Sequence, residues 1–354
     1  MSVTPVLIEP LPQHRFDEAK LDRYLVERVE GYRRGSLVIR QFQGGQSNPT
    51  FLIETPTTTY VLRKKPPGKL LASAHMVERE YKVQKALAGS AVPVAPMLLL
   101  CEDASVVGTP FYLMGYVAGR VIPTADLPEL TPAERQGVYR SLVETLAALH
   151  QVDWRAAGLG DFGRPDNYAA RQIDRWTKQY SASKTDDIKE MEQLSAWLVA
   201  HLPAKAAASI VHGDFRVGNT ILHPREPRLA AVLDWELATI GDPLADLAYL
   251  CMAYNMPPGG PGVSGGLRGA DLPSLGVPSE QEVLSAYARA TSRPDIPHWD
   301  FYKALAFFRI AAIVQGVYAR GLAGNAADAS AVRQGERVRM MAGIGWEIAA
   351  SAKN

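Results

Sequence analysis

"SIVHGDFRVGNTIL", Ser209 to Leu222, is the stretch on which the fold is decided. An apolar run delivers His212, Gly213 and Asp214, an Asn follows at position 219, and an apolar strand resumes. After a turn at His223-Pro224-Arg225, a second apolar segment, 229–233, ends directly in Asp234. Two carboxylates and an amide are thus carried by neighbouring β-segments. An Asp can accept a proton from an attacking hydroxyl, while an Asn and a second Asp supply hard oxygen donors for a Mg2+ ion. Asp214 and Asn219 alone would also suit a tight turn. Asp234 at this distance turns the balance toward a phosphoryl-transfer arrangement.

Composition sets the outer bounds. The chain has 354 residues, enough for one large domain or two moderate ones, each with its own core. Basic and acidic side chains number 38 and 37, so net charge gives no argument for nucleic acid or an anionic membrane as partner. Cys101 and Cys251 stand far apart without metal-type spacing and are expected to be small core residues. The start, "MSVTPVLIEPLPQHRF", has prolines and acids where a signal peptide needs an unbroken apolar segment. The apolar run over 304–324 is interrupted by Arg309 and Gln315 and reads as a buried helix. A cytoplasmic protein is the expectation.

The first third of the chain is strand-rich. "SLVIRQFQGGQSNPTFLIETPTTTYVLRKKPPG" alternates apolar and polar residues and breaks at Gly44-Gly45 and Thr57-Thr58. A helix over "SAHMVEREYKVQKALAG" follows, with Ser73 as its cap and Gly89 as its stop, and then two strands, "APMLLLCED" and "PFYLMGYVAG". From Thr131 the pattern turns helical. Val138, Leu142, Leu146 and Leu149 share one face, Thr131 caps and Pro132 takes the first helical position. The expected fold class is α+β: a small N-terminal antiparallel-sheet lobe with one helix, and a larger, mainly helical C-terminal lobe. The expected division is an N-terminal extension or helix over 1–30, a nucleotide-binding N-lobe over 31–117 and a C-lobe over 118–354. The last carries the catalytic loop (209–236) and a helical insertion (about 155–203). A Gly/Pro-rich loop over 256–280 is either a lid or a mobile insertion.

On the first-lobe helix, Met76, Glu80, Val83 and Leu87 fall on one face, so Glu80 points inward and needs a cation. If Val61 faces the core side, Arg63 shares it and Lys64 points to solvent. Arg63 is therefore the expected partner. The turn "QGGQSNPTF" could lay backbone N–H groups and the Ser47 hydroxyl over phosphates. A second triplet, Asp161-Phe162-Gly163, resembles a kinase metal-binding motif, but it precedes the His-Gly-Asp loop and no strand leads into it. It reads as a turn.

The set "YVLRKKPPG", "VERE", "VHGDFRVGN", "VLDWE" and "GDPLADLAY" resembles the aminoglycoside phosphotransferase (choline kinase-like) family, whose fold is that of protein kinases. Within it the likeness is greatest to the kinase domain fused to certain acyl-CoA dehydrogenases. The resemblance implies ATP and Mg2+ as cofactors, Asp214 as catalytic base, and Asn219 and Asp234 as metal ligands. It further implies Glu80 paired with the phosphate-binding cation Arg63, and Ser47 in the nucleotide-positioning loop. Adenine would lie against the Gly115 carbonyl and the Val117 N–H. Antibiotic-modifying members have a Lys where this chain has Arg63. His212 would orient the loop, and Asp242 and Asp246 would brace it.

The expected activity is transfer of a phosphoryl group from Mg-ATP to a small-molecule hydroxyl. The acceptor is expected between the His-Gly-Asp loop and the inserted helices, beside Arg171, Arg175, Trp176 and Tyr180. Basic residues there suit an anionic or acyl-bearing acceptor such as a hydroxyacyl-CoA better than a polycationic aminoglycoside, which remains the alternative. Two rivals come from other classes. One is a metal-dependent phosphohydrolase using His212, Asp214, Asp234 and Asp242; the other is a catalytically silent nucleotide-binding protein.

Overall fold

The computed structural model describes residues 6–43, 48–68, 75–204, 207–259, 265–324 and 329–352. Its first lobe is built on an antiparallel sheet. The elements are β1 (Leu7–Ile8), α1 (Glu18–Arg28), β2 (Val38–Phe42), β3 (Thr50–Glu54), β4 (Thr59–Lys64), α2 (Val77–Ala86), β5 (Met97–Cys101), α3 (Ala104–Val107) and β6 (Phe111–Gly115). The sheet order is β1-β2-β3-β4-β6-β5, with Arg63 opposite Thr50 on one side and Tyr112 on the other. Strands β2 to β6 fall where the alternation of apolar residues puts them. Gly44, Gly45, Ser47 and Ser73 lie outside the described residues.

Both faces of this sheet are covered. Arg63 and Tyr112 face α2, whereas Phe51, Ile53, Leu62 and Leu113 pack with Leu21 and Leu25 of α1 and with Val106 and Val107 of α3. This second layer corrects one expectation, that for Lys64. The helix expected before position 31 is α1, and it is joined to the lobe: β1 pairs with β2, and α1 supplies a wall of the lobe's core. Lys64 does not point to solvent. It alternates onto the α1 side, where its ammonium donates to the Val107 carbonyl (2.7 Å) and lies 5.1 Å from the Phe16 ring centre. Burial lowers its pKa to about 8.

The second lobe contains α4 (Pro132–Gln151), α5 (Tyr168–Ser183), α6 (Lys189–Ala200), β7 (Ser209–Val211), β8 (Thr220–Leu222), β9 (Leu229–Val232), β10 (Thr239–Gly241), α7 (Pro243–Cys251), α8 (Leu272–Leu275), α9 (Glu280–Ala290), α10 (Trp299–Leu322) and α11 (Gly335–Ser351). Thr131 and Glu134 form a reciprocal capping box at the start of α4, whose Val138, Leu142, Leu146 and Leu149 are fully buried. By length and composition α10 could cross a membrane, but it sits in the core of this lobe. Its Gln315 donates to the Ser183 carbonyl and the Thr185 hydroxyl, and Arg309 is 8% exposed. Two short ribbons, β7 with β10 and β8 with β9, interrupt the helices. They carry the polar residues of the opening motif. The β8–β9 ribbon is tied to the chain entering this lobe by paired bonds between Arg120 and Leu222, and to the first lobe by Val232 N–H donating to the Pro93 carbonyl.

Candidate active site

The loop after β7 is held from behind by one buried carboxylate. Asp246, on α7, accepts the backbone N–H groups of His212 (2.5 Å) and Gly213 (2.8 Å). Burial alone would push this carboxyl up, but His150, His212 and the Gly213 N–H outweigh it and hold it below the ordinary range. Gly213 takes φ +85°, and a Cβ there would stand 2.8 Å from the Leu237 carbonyl oxygen. Glycine at this position follows from the close approach of the two loops.

His212 is fully buried and uses both ring nitrogens. Nδ1 accepts from the Asp214 N–H at 3.1 Å, so Nε2 carries the proton and donates to the Leu233 carbonyl at 2.8 Å. The imidazole thus fixes the distance between the loop bearing Asp214 and the segment bearing Asp234. Asp242, by contrast, caps α7 through the Leu244 N–H and accepts the Tyr302 hydroxyl at 2.5 Å. It steadies α7 against α10 rather than the loop itself. Both residues that a phosphohydrolase would need beyond the two aspartates are therefore committed elsewhere. Among the described residues no group of three or more His, Cys, Asp or Glu is placed to hold a metal.

Asn219 donates to the Asp214 backbone carbonyl (2.9 Å) and to Asp214 Oδ2 (2.6 Å). The other carboxylate oxygen, Oδ1, is buried and makes no hydrogen bond among the described residues; Arg216 Nε stands 3.6 Å from it. Leu233 N–H donates to the Asn219 carbonyl, extending the β8–β9 pairing so that Asp234 follows beside Asn219. Asp234 takes the left-handed conformation (φ +65°, ψ +60°), uncommon for a residue with a Cβ and sustained by the structure around it.

The first lobe contributes Arg63 and Glu80 as expected. Arg63 Nε lies 2.9 Å from Glu80 Oε2, and its Nη2 lies 3.2 Å from Asp234 Oδ1 and 3.9 Å from Glu236. Glu80 is 1% exposed and also accepts from Asn48 (2.7 Å) and Tyr112 (3.1 Å). Burial pushes its carboxyl up. The Arg63 guanidinium and the Tyr112 hydroxyl oppose that, and the net result is a carboxyl raised to about 7. Asn48 in turn meets His75 Nδ1 at 3.1 Å, so the strand leaving the glycine turn is anchored to this pair. Gly115 donates its N–H to the Pro96 carbonyl at the end of β6, and Val117 packs against the Val77 and Met97 cluster.

A cavity of about 370 Å³ opens on Asp214. Its walls are largely apolar, with Ile310, Ile313, Met252, Met256 and Met341 among them. Three cations, Arg216, Arg309 and Arg337, face two acids, Asp214 and Glu236. The buried Nε atoms of Arg309 and Arg337 make no hydrogen bond among the described residues. Arg309 lies between the rings of Trp176 and Tyr249, and the Asp214 charge adds to burial in pushing the Tyr249 hydroxyl up. A second cavity of about 380 Å³ shares Glu236, Leu237 and Arg309 with the first and is bordered by Arg171, Arg175 and Trp176. Tyr180 does not join them. It lies one turn beyond Trp176 on the same face of α5, where its ring packs into the core and is 5% exposed. The sequence reading missed Arg337 and Tyr249, and treated Arg309 only as an interruption of a greasy run. A lone arginine amid apolar helix residues was the available signal for a polar lining.

Comparison with known proteins agrees with this fold. Acyl-CoA dehydrogenase family member 10 of Mus musculus is 45% identical over 329 residues, covering 93% of this chain and 31% of that protein, so the chain spans about a third of its relative's length. A crystal structure from Ralstonia eutropha, of a protein named after the aminoglycoside phosphotransferases, is 46% identical with TM-score 0.87, covering 96% of this chain and all of that one. The aminoglycoside phosphotransferase APH(4)-Ia, solved with ADP and hygromycin B, shares the fold at TM-score 0.60 and 16% identity, over 94% and 99% of the two chains. The model of the phosphotransferase enzyme family APH matches residues 38–305, and the chain, with its bilobal kinase-like fold, belongs to that family.

Proposed function

We propose that this protein transfers the γ-phosphoryl group of ATP to a hydroxyl of a small, anionic, partly apolar molecule, of which a hydroxyacyl-CoA is the leading example. The reading rests chiefly on Asp214, whose Oδ1 is buried beside the Tyr249 hydroxyl and Arg216 at the wall of a cavity large enough for an acyl group. The acceptor hydroxyl gives its proton to that oxygen as its own oxygen bonds to the γ-phosphorus and the bond to the β-phosphate oxygen breaks, releasing ADP. Asn219 on Oδ2 and His212 on the backbone keep the carboxylate turned toward the acceptor. Arg63 supplies the cation for the nucleotide phosphates, and Glu80 aims it.

The oxygens of Asn219 and Asp234 are the hard donors a Mg2+ ion prefers, and Leu233 and His212 hold them side by side. Such an ion, held there, would offset phosphate charge. Gly115 and Val117 form the edge against which adenine would lie. Ser47 keeps its proposed place in the phosphate loop, outside the described residues.

Charge selects among acceptors. A polycationic aminoglycoside needs a wall of acids, but the cavity offers three arginines against Asp214 and Glu236. Arg171, Arg175 and Trp176 continue that basic lining in the adjoining cavity. ADP release should therefore require both ATP and an acceptor, with hydroxyacyl-CoAs supporting it and aminoglycosides not. ATP consumption insensitive to every hydroxylated acceptor, and equal in wild type and Asp214→Ala, would sink the assignment. A silent nucleotide-binding protein would bind Mg-ATP in a thermal-shift assay and turn nothing over.

A further inference from the structure

Each residue of the triplet Asp161-Phe162-Gly163 meets another element. Asp161 pairs with Lys82 of α2 at 2.6 Å. The Phe162 carbonyl accepts Arg79 Nη2 at 2.6 Å, and its ring, 1% exposed, lies 4.1 Å beneath the same guanidinium. At Gly163 a Cβ would stand 2.3 Å from Thr239 Oγ1 and 2.6 Å from the Ile240 nitrogen, so only glycine lets the loop lie against β10. Arg79 also donates to the Ala238 carbonyl at 3.3 Å, four residues beyond Asp234.

Helix α2 thus works on two faces. Val77 and Glu80 face the sheet, Val83 packs into the large-lobe core, and Arg79 and Lys82 reach the 161–163 loop of that lobe. We infer that the 161–163 loop is a latch holding α2 against the large lobe, and that Arg79 is a positioning residue acting through Glu80 on Arg63. The latch stands on geometry alone; its effect on nucleotide binding rests on the phosphotransferase reading. Lys82 and Asp161 are 41% and 77% exposed and contribute little. Arg79 contributes most, through charge-assisted bonds to two carbonyls and an aromatic face.

The test pairs amide hydrogen exchange with binding of a fluorescent ADP derivative in the presence of Mg2+, on the whole chain. In Arg79→Ala, exchange across α2 should quicken about tenfold and ADP affinity fall about tenfold, the loss of one charge-assisted contact, with α4 exchange unchanged. Arg79→Lys should restore part of both. Unchanged α2 exchange in folded Arg79→Ala overturns the latch, and quicker exchange with unchanged affinity overturns the positioning role. If wild type binds no nucleotide, the phosphotransferase reading fails instead, and exchange alone decides the latch. Should Arg79→Ala not fold, Arg79→Lys is judged by the same criteria, with changes of about threefold.

Discussion

Arg63 of the small lobe stands 3.2 Å from Asp234 of the large lobe and 2.9 Å from Glu80, so one guanidinium joins the two halves of the cleft. Removing it leaves Glu80 buried without its cation. Arg63→Ala should lower unfolding stability by about 3–5 kcal/mol and weaken ATP binding about a hundredfold. Arg63→Lys keeps the charge without the fork and should lose about tenfold in affinity. Calorimetric unfolding and ATP titration read both, and an Arg63→Ala protein binding ATP as wild type does would contradict the assignment.

Asp214→Asn removes the proton acceptor and keeps the shape. Turnover should fall by at least about a thousandfold while ATP affinity stays within about tenfold, since this oxygen touches no phosphate in the proposed mechanism. Equal loss of binding and turnover would point to a structural role.

Gly213→Ala puts a Cβ against the Leu237 carbonyl at φ +85°. Strain of roughly 1–3 kcal/mol is expected at such a position. The loop can relieve it only by shifting Asp214, so kcat should fall more steeply than the melting temperature. A variant with full activity would show that the loop approach is not needed.

Asp246 carries a linked pH effect. Its carboxyl is held below the ordinary aspartate value of 3.8, so the stability it contributes is fully present above that value. It is lost as pH falls through the lower, folded-state value. Urea unfolding of wild type and Asp246→Asn should differ by about 3 kcal/mol at neutral pH. The gap should close below about pH 4. A gap that widens with acid would reverse the sign and the explanation.

The cavity arginines make a prediction about acceptors. Arg309→Gln and Arg337→Gln should each raise KM for an anionic acceptor by about tenfold, with a smaller effect on kcat. Unchanged KM values in both variants would remove the case for an anionic acceptor.

The parts of this site that were legible in sequence are those carried on short, regular stretches. Asp214, Asn219 and Asp234 keep their order because a strand, a turn and a strand leave little freedom, and Glu80 follows from helical spacing. The fate of Lys64 was not legible, because alternation says which side a residue takes but not whether another layer covers that side. Tyr180 shares the face of α5 that carries Trp176 but lies one turn further along, and spacing alone does not say where along a helix the cavity ends. Arg337 had no local signal at all, since a charged residue near a helix start looks like ordinary surface.

The acceptor cavity closes only when α11 is in place, because Arg337 and Met341 form part of its wall. A nascent chain still lacking residues after 334 would already contain every residue assigned here to nucleotide and metal. It would have no finished pocket for a second substrate. Translation therefore supplies this wall only after the groups proposed for ATP, and a product stalled before α11 would carry those groups without the Arg337 and Met341 side of the cavity.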